Sequence, residues 1–352
     1  MSNHFHLGLL ACATLLVAGC GDNNDPVISA PAITITAITP TSASISWGKA
    51  TDGNSQDSAL VYKVYLSGAN PAYQSFDTRG EVEAGTLTQT LTNVSSATIS
   101  TGIVAGNAYY INVVVEDEEG NKALYEPLGE YFHTNQLSYY PFNGNTNDVE
   151  TTTAPNNLRV EPTGLTTSPA LTSDRLSHAG SAYNFVLTTP LQCLQSANVV
   201  GIPASANQSV SFWVQSSNAP TTTRRAAFAW GNESGNGTSF GFLEDVPANN
   251  WAVWLGTTAP VSTPTTTVTS NWEHWVITST SSNVSTYKNG VVVSNGVAAT
   301  VSAVNTQLYV GCGMLASNLL GNPYKGSIDE VRIFGQVLTP ADAANLYAVT
   351  RP

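Results

Sequence analysis

Residues 42–47 read Ser-Ala-Ser-Ile-Ser-Trp, an apolar side chain at every second position, and the same period of two returns at Tyr62, Val64 and Leu66 and at Tyr109, Ile111, Val113 and Val115. Successive side chains of an extended strand point to opposite faces, so this pattern predicts half-buried antiparallel strands and does not suit a helix, whose apolar stripe recurs every three or four residues. Polar turn clusters, "TDGNSQDS" and "EDEEGN", separate the runs. Composition agrees with many short strands, because 42% of the residues are hydrophobic and only 10% charged, a balance that also argues against disorder. A chain of 352 residues exceeds the ~100–200 residues of one domain, which predicts two.

Net charge −12 with only 12 Lys and Arg leaves no basic cluster to displace counterions, which excludes nucleic acid as a partner. At the N-terminus, "HLGLLACATLLVAGC" has the length of a signal-peptide core and is too short to span a bilayer. It closes on Val17-Ala18-Gly19-Cys20, which resembles the lipobox of bacterial lipoproteins, although "MSNHFH" carries no Lys or Arg. The resemblance implies that residues 1–20 are a lipoprotein signal ending at Cys20, the lipidated residue, and that the protein is held at the cell envelope by a lipid anchor. Gly21 after Cys20 is similar to signals for the outer membrane. Residues 21–32, "GDNNDPVISAPA", read as a polar, Pro-punctuated tether. With Cys12 removed in the signal, Cys193 and Cys312 are left as an even pair in an oxidising compartment, so a disulfide is expected.

Two further resemblances divide the rest. "SISW", "YKVYLS" and "GIVAGNAYYINVVVEDEEGN" resemble strands of a fibronectin type III domain over residues 33–135, with Trp47 in the core and the Tyr109 hydroxyl anchoring a corner. "LSYYPFNGNTND", "SVSFWVQ", "NWEHWVITSTSSNVSTYKNG" and "GSIDEVRIFGQVLTPADAANLY" resemble, in that order, a laminin G-like domain of the concanavalin A-like jelly rolls over residues 136–352. The implied fold class is all-β, a fibronectin type III-like sandwich followed by a laminin G-like jelly roll. Within the second segment Asn289-Gly290 predicts a two-residue hairpin, and Thr339, Pro340 and Asp342 predict a capped helix. Strict alternation in "SIDEVRIF" sets Asp329, Val331 and Ile333 on one face and Glu330 and Arg332 on the other, so the adjacent acids are expected to point apart.

Catalytic machinery is not legible. Retaining glycosidases on jelly rolls place two carboxylates on alternate positions of one strand, and residues 136–352 contain no such acid-x-acid pair. His133, His178 and His274 lack zinc-type spacing, and no Gly-x-Ser-x-Gly elbow occurs. The chain is therefore expected not to be an enzyme. Asn143, Asn145, Asn147 and Asp148 crowd one loop with oxygen ligands, and the laminin G-like resemblance brings that loop near Asp329. Asn143, Asn145, Asp148 and Asp329 are accordingly the expected Ca²⁺ ligands. Six of the seven tryptophans lie in the second segment. Trp213 and Trp254 fall opposite the apolar positions of their strands and are the expected stacking platforms for a glycan. The reading is a non-catalytic binding or adhesion module for a glycan or a surface protein. A glycosidase or lyase of the same fold, or a structural protein-interaction module, are the alternatives.

Overall fold

The computed structural model describes residues 25–351 apart from 54, 69–77, 151–153, 161–165, 203–206, 218–222, 232–233, 246–248, 257–260, 303–305 and 316–319. Cys20 and the signal segment lie outside the described residues. The fold is all-β, built as two sandwiches joined through one C-terminal helix.

The first sandwich pairs a sheet ordered Ile33–Thr39, Ser42–Trp47, Ser96–Ile99 with a sheet ordered Thr86–Thr92, Val61–Gly68, Ala108–Glu116, Lys122–Leu124, to which Leu128–Tyr131 adds beside Ala108–Glu116. The period-two positions behave as expected. Ile35, Ile45 and Trp47 from one sheet meet Tyr62, Val64, Ile111 and Val113 from the other in a single core. The Tyr109 hydroxyl accepts the Val104 N–H at 3.0 Å, which ties the loop before its strand to the sheet edge.

The second sandwich stacks a seven-stranded sheet, running from Leu158–Val160 to Val261–Thr267, on an eight-stranded sheet centred on Gly326–Phe334 and Gln208–Ser216. Val210, Phe212 and Val214 point inward with Trp275, Ile328, Val331 and Ile333, against Phe228, Phe242, Trp251 and Val253 of the opposite sheet. Ring pairs such as Phe212–Phe228 and Phe242–Trp251, both with centroids 4.9 Å apart, tie the layers beyond area burial alone. Asn289 and Gly290 both adopt positive φ, 50° and 76°, which gives the predicted hairpin between Asn283–Lys288 and Val291–Ala298. Cys193 and Cys312 form the expected disulfide across 119 residues of chain. On a chain-entropy treatment a loop of that length contributes roughly 4–5 kcal/mol.

The expected alternation fails at one point in "SIDEVRIF". Glu330 has φ 54°, and the pairing with Gln208–Ser216 slips between Ser211 and Trp213, so a β-bulge interrupts the strand. Its consequence is that Asp329, Glu330 and Arg332 all emerge on the outer face while Ile328, Val331 and Ile333 stay in the core. The adjacent acids do not point apart.

That outer face is covered. Helix Pro340–Thr350 starts on a capping box in which the Thr339 side chain accepts from Asp342 N–H and the Asp342 carboxylate accepts back. Its Ala343, Leu346 and Val349 pack in one cluster with Phe334 and Tyr287 of the second sandwich and with Ala108 and Tyr131 of the first. At ~1.5–3 kcal/mol for each large apolar side chain fully buried, this wedge fixes the two sandwiches together. Directional bonds hold the seam as well: Tyr131 donates to the Asp342 carboxylate and Tyr110 to Ala348 O at 3.3 Å, both on the helix, and away from the helix Ile38 N–H donates to Val149 O at 2.8 Å. Tyr139 and Val149 from the second segment even complete the core of the first sandwich.

Gly129 is where the wedge comes nearest, since a Cβ there would stand 2.0 Å from the Val349 carbonyl oxygen. Gly129→Val should force the helix end away from the first sandwich and destabilise by about 1–3 kcal/mol, read as a lowered urea midpoint, with the second sandwich's near-ultraviolet aromatic signal retained.

Candidate functional site

Where the two sandwiches meet they leave a cleft of about 600 Å³. Ala32, Ile33, Glu126, Pro127 and Leu128 line it from the first sandwich, and Asn143, Asp174, Arg175, His178, Glu330 and Tyr347 from the second, with Val349 and Arg351 at the helix end. Its polar wall is one connected network. The Arg175 guanidinium donates to Asp329 at 2.7 Å, reaches Glu330 at 3.7 Å, bonds the Thr350 carbonyl, and lies 5.1 Å from the centre of the Trp213 ring. Glu330 also accepts from Arg332 at 3.0 Å and from the Tyr139 hydroxyl at 2.6 Å. Behind it, Arg332 sits 3.8 Å over the Tyr139 ring and holds both oxygens of Glu130, which is completely buried.

Burial pushes the Glu130 and Asp329 carboxyls up, and Arg332 and Arg175 respectively pull them back. A buried carboxylate with a cation in hydrogen-bond contact is tolerated, whereas removing the cation costs ~3–5 kcal/mol. At the mouth of the cleft His178 links the two sandwiches, with Nδ1 3.1 Å from Asp174 and Nε2 2.5 Å from Glu126. Asp174 chiefly, with Glu126, raises the His178 pKa to about 9.

The expected glycan platforms are not available. Trp213 does lie on the outer face of its strand, but helix Pro340–Thr350 covers it. Trp213 is 2% exposed, donates to Thr350 Oγ1 at 2.9 Å and packs on Tyr347 and His274. Trp254 is fully buried because the backbone at Gly313 lies against its ring, where a Cβ would be 2.3 Å away. Among the seven tryptophans only Trp272 is half-buried, a position whose loop placement the strand pattern does not reveal.

Of the expected calcium ligands, Asp148, Asn145 and Asp329 have side-chain oxygens that are already engaged. Asp148 accepts N–H bonds from Tyr139, Glu150 and Asn156, and Asn145 accepts from Asn147. Asp329 is bound to a guanidinium, which opposes a second cation. Asn143 instead lines the interdomain cleft. No group of three or more His, Cys, Asp and Glu residues that could hold a metal occurs among the described residues. His274 is wholly buried, bonded to Ser211 at 2.8 Å, and its pKa falls to about 3, principally through desolvation.

Residues 192–344 match a family of the laminin G type, described as the concanavalin A-like lectin/glucanases superfamily. The second sandwich carries a concanavalin A-like, laminin G-type domain. No curated relative matches the chain. Among solved structures, the chain resembles domain 4 of AbnA, an extracellular arabinanase from Geobacillus stearothermophilus solved with arabinotriose, at 21% identity and TM-score 0.42, covering 60% of this chain and 98% of that one. It also resembles the binding domain of botulinum neurotoxin DC solved with SialylT, at 14% identity and TM-score 0.43, covering 60% of this chain and 51% of that one, about half its length. A pentraxin from Limulus polyphemus matches at 12% identity and TM-score 0.36, over 46% and 78% of the two chains. The cleft lies where the laminin G-type domain meets the first sandwich, and Glu126, Arg175 and Arg351 of its wall fall outside the matched residues.

The His178 link makes the seam sensitive to alkali. A histidine whose pKa rises on folding, here from 6.5 to about 9, adds stability that is complete below pH 6.5, declines above it and is gone beyond about pH 9. Melting temperature should therefore fall between pH 6.5 and 9. His178→Gln should abolish that slope and lower stability at pH 6 by on the order of 1–2 kcal/mol, a figure discounted for the exposure of Glu126.

Proposed function

We propose that this chain is a lipid-anchored protein of the cell envelope, at the outer membrane, that binds carbohydrate without cleaving it. In this reading a fibronectin type III-like sandwich and a laminin G-type domain together build the binding site, and Cys20 carries the lipid. One observation carries the assignment: the seam between the sandwiches is a preformed cleft, whereas the tryptophans of the sheet faces are buried. Concave sites that pair apolar walls with a few fixed polar groups are the usual form of small-ligand sites. Here Tyr347 and Leu128 give apolar surface, and Glu126, Asn143 and Arg351 offer acceptor and donor groups that suit sugar hydroxyls.

Support for a non-catalytic role comes from the acids themselves. Glycoside cleavage needs one carboxylate free to act as acid and another as nucleophile or base. In this wall Asp174 and Glu126 are held by His178, and Asp329 and Glu330 by Arg175 and Arg332.

Affinity electrophoresis of the soluble chain (residues 20–352, Cys20→Ser) through gels containing soluble polysaccharides should show retardation by at least one. Asn143→Ala and Arg351→Gln should each weaken it about tenfold or more, while Trp272→Ala leaves it unchanged. Loss on Trp272→Ala alone would move the site off the cleft, and release of reducing ends would replace binding by hydrolysis. In the native host, Cys20→Ser should abolish fatty-acid labelling and release the protein from the membrane fraction.

A further inference from the structure

The one lining charge that the cleft leaves unanswered narrows the ligand class, an inference that rests on the cleft being the carbohydrate site. Three acids, Glu126, Asp174 and Glu330, stand there against three cations, Arg175, His178 and Arg351, so the lining is neutral in sum. Five of the six are committed to partners. Asp174 and Glu126 flank the two ring nitrogens of His178, which stays protonated at neutral pH, and Arg175 is held by Asp329, Glu330 and the Thr350 carbonyl. Glu330 also takes Arg332 and the Tyr139 hydroxyl. Arg351, half-buried at the end of the helix, makes no ion pair among the described residues.

A guanidinium that is partly out of water without a counter-charge gains when an anion arrives, because part of its desolvation is already met on folding and each new bond is charge-assisted. The planar fork of arginine fits a carboxylate through two parallel N–H bonds, which a single sugar hydroxyl cannot match. Asn143 lines the same cleft with an amide, and the exposed Glu126 carboxylate can accept from sugar hydroxyls. The chain's charge of −12 works against long polyanions, so the site suits one acidic sugar of a short or sparsely charged glycan. We propose that the cleft takes a saccharide containing a uronic acid, with the sugar's carboxylate on Arg351 and its hydroxyls on Asn143 and Glu126.

Isothermal titration of the same soluble chain tests this with short oligomers of galacturonate, glucuronate and alginate, each against its own methyl ester, and with dextran, mannan and galactan. An ester keeps the hydroxyls and removes only the charge. The expected result is that at least one oligouronate binds about tenfold or more tighter than its ester, by a margin that high salt narrows. Arg351→Gln should bring the acid down to about its ester's affinity, and Arg351→Lys, which keeps the charge without the fork, should retain part of the margin. An ester or a neutral polymer that binds as tightly as every acid would overturn the proposal while leaving carbohydrate binding in the cleft intact, and so would an acid preference that survives Arg351→Gln. Failure of every saccharide to bind would overturn both. The wild-type comparison of acid with ester decides the matter even if the Arg351 variants do not fold.

Discussion

The buried ion pair between Glu130 of the first sandwich and Arg332 of the second is the interaction on which the rest of the molecule depends. Glu130 has no exposed surface, and Arg332 reaches both its oxygens while stacking on Tyr139. Two charges withdrawn from water are stable only when each answers the other, so the sandwiches cannot part without leaving a bare charge in an apolar seam. Helix Pro340–Thr350 then closes the arrangement: its Asp342 caps the helix start and also receives the Tyr131 hydroxyl of the first sandwich. The first sandwich is thus no free spacer. It is one wall of the site.

Local strain serves the same end. Glu330 holds a left-handed backbone, φ 54°, which is uncommon outside glycine and costs about 1–3 kcal/mol. Tyr139, Arg332 and Arg175 all bind its carboxylate and over-determine that geometry. The bulge lies between the two stretches of Gly326–Phe334 that pair on one side with Ala182–Phe185 and with Gln136–Tyr140, where the ladder changes partner. Its product is an acidic side chain turned into the cleft instead of away from it.

Much of the fold was legible in the sequence. Period-two alternation placed Ile45, Trp47, Val64 and Val113 in a core, Asn289-Gly290 specified its hairpin, and Thr339 with Asp342 specified the helix start, because each of these signals is local. The site was not legible, for physical reasons. A bulge at Glu330 carries no glycine to mark it, and one inserted residue inverts the face of every side chain beyond it. Trp213 was assigned to the correct face, but burial of that face is decided by a helix more than 120 residues later. Arg175, Glu126 and Arg351, from three distant segments, converge only through the docking of two sandwiches, which no spacing along the chain encodes.

The Glu130–Arg332 pair and the shared helix require that both sandwiches and the helix unfold as one body. Differential scanning calorimetry of the soluble chain at pH 6, where the His178 link is intact, measures this directly. A single transition, with calorimetric and van't Hoff enthalpies equal, is predicted. Two resolved transitions, one for each sandwich, would contradict it and reduce the seam to a contact between independent domains.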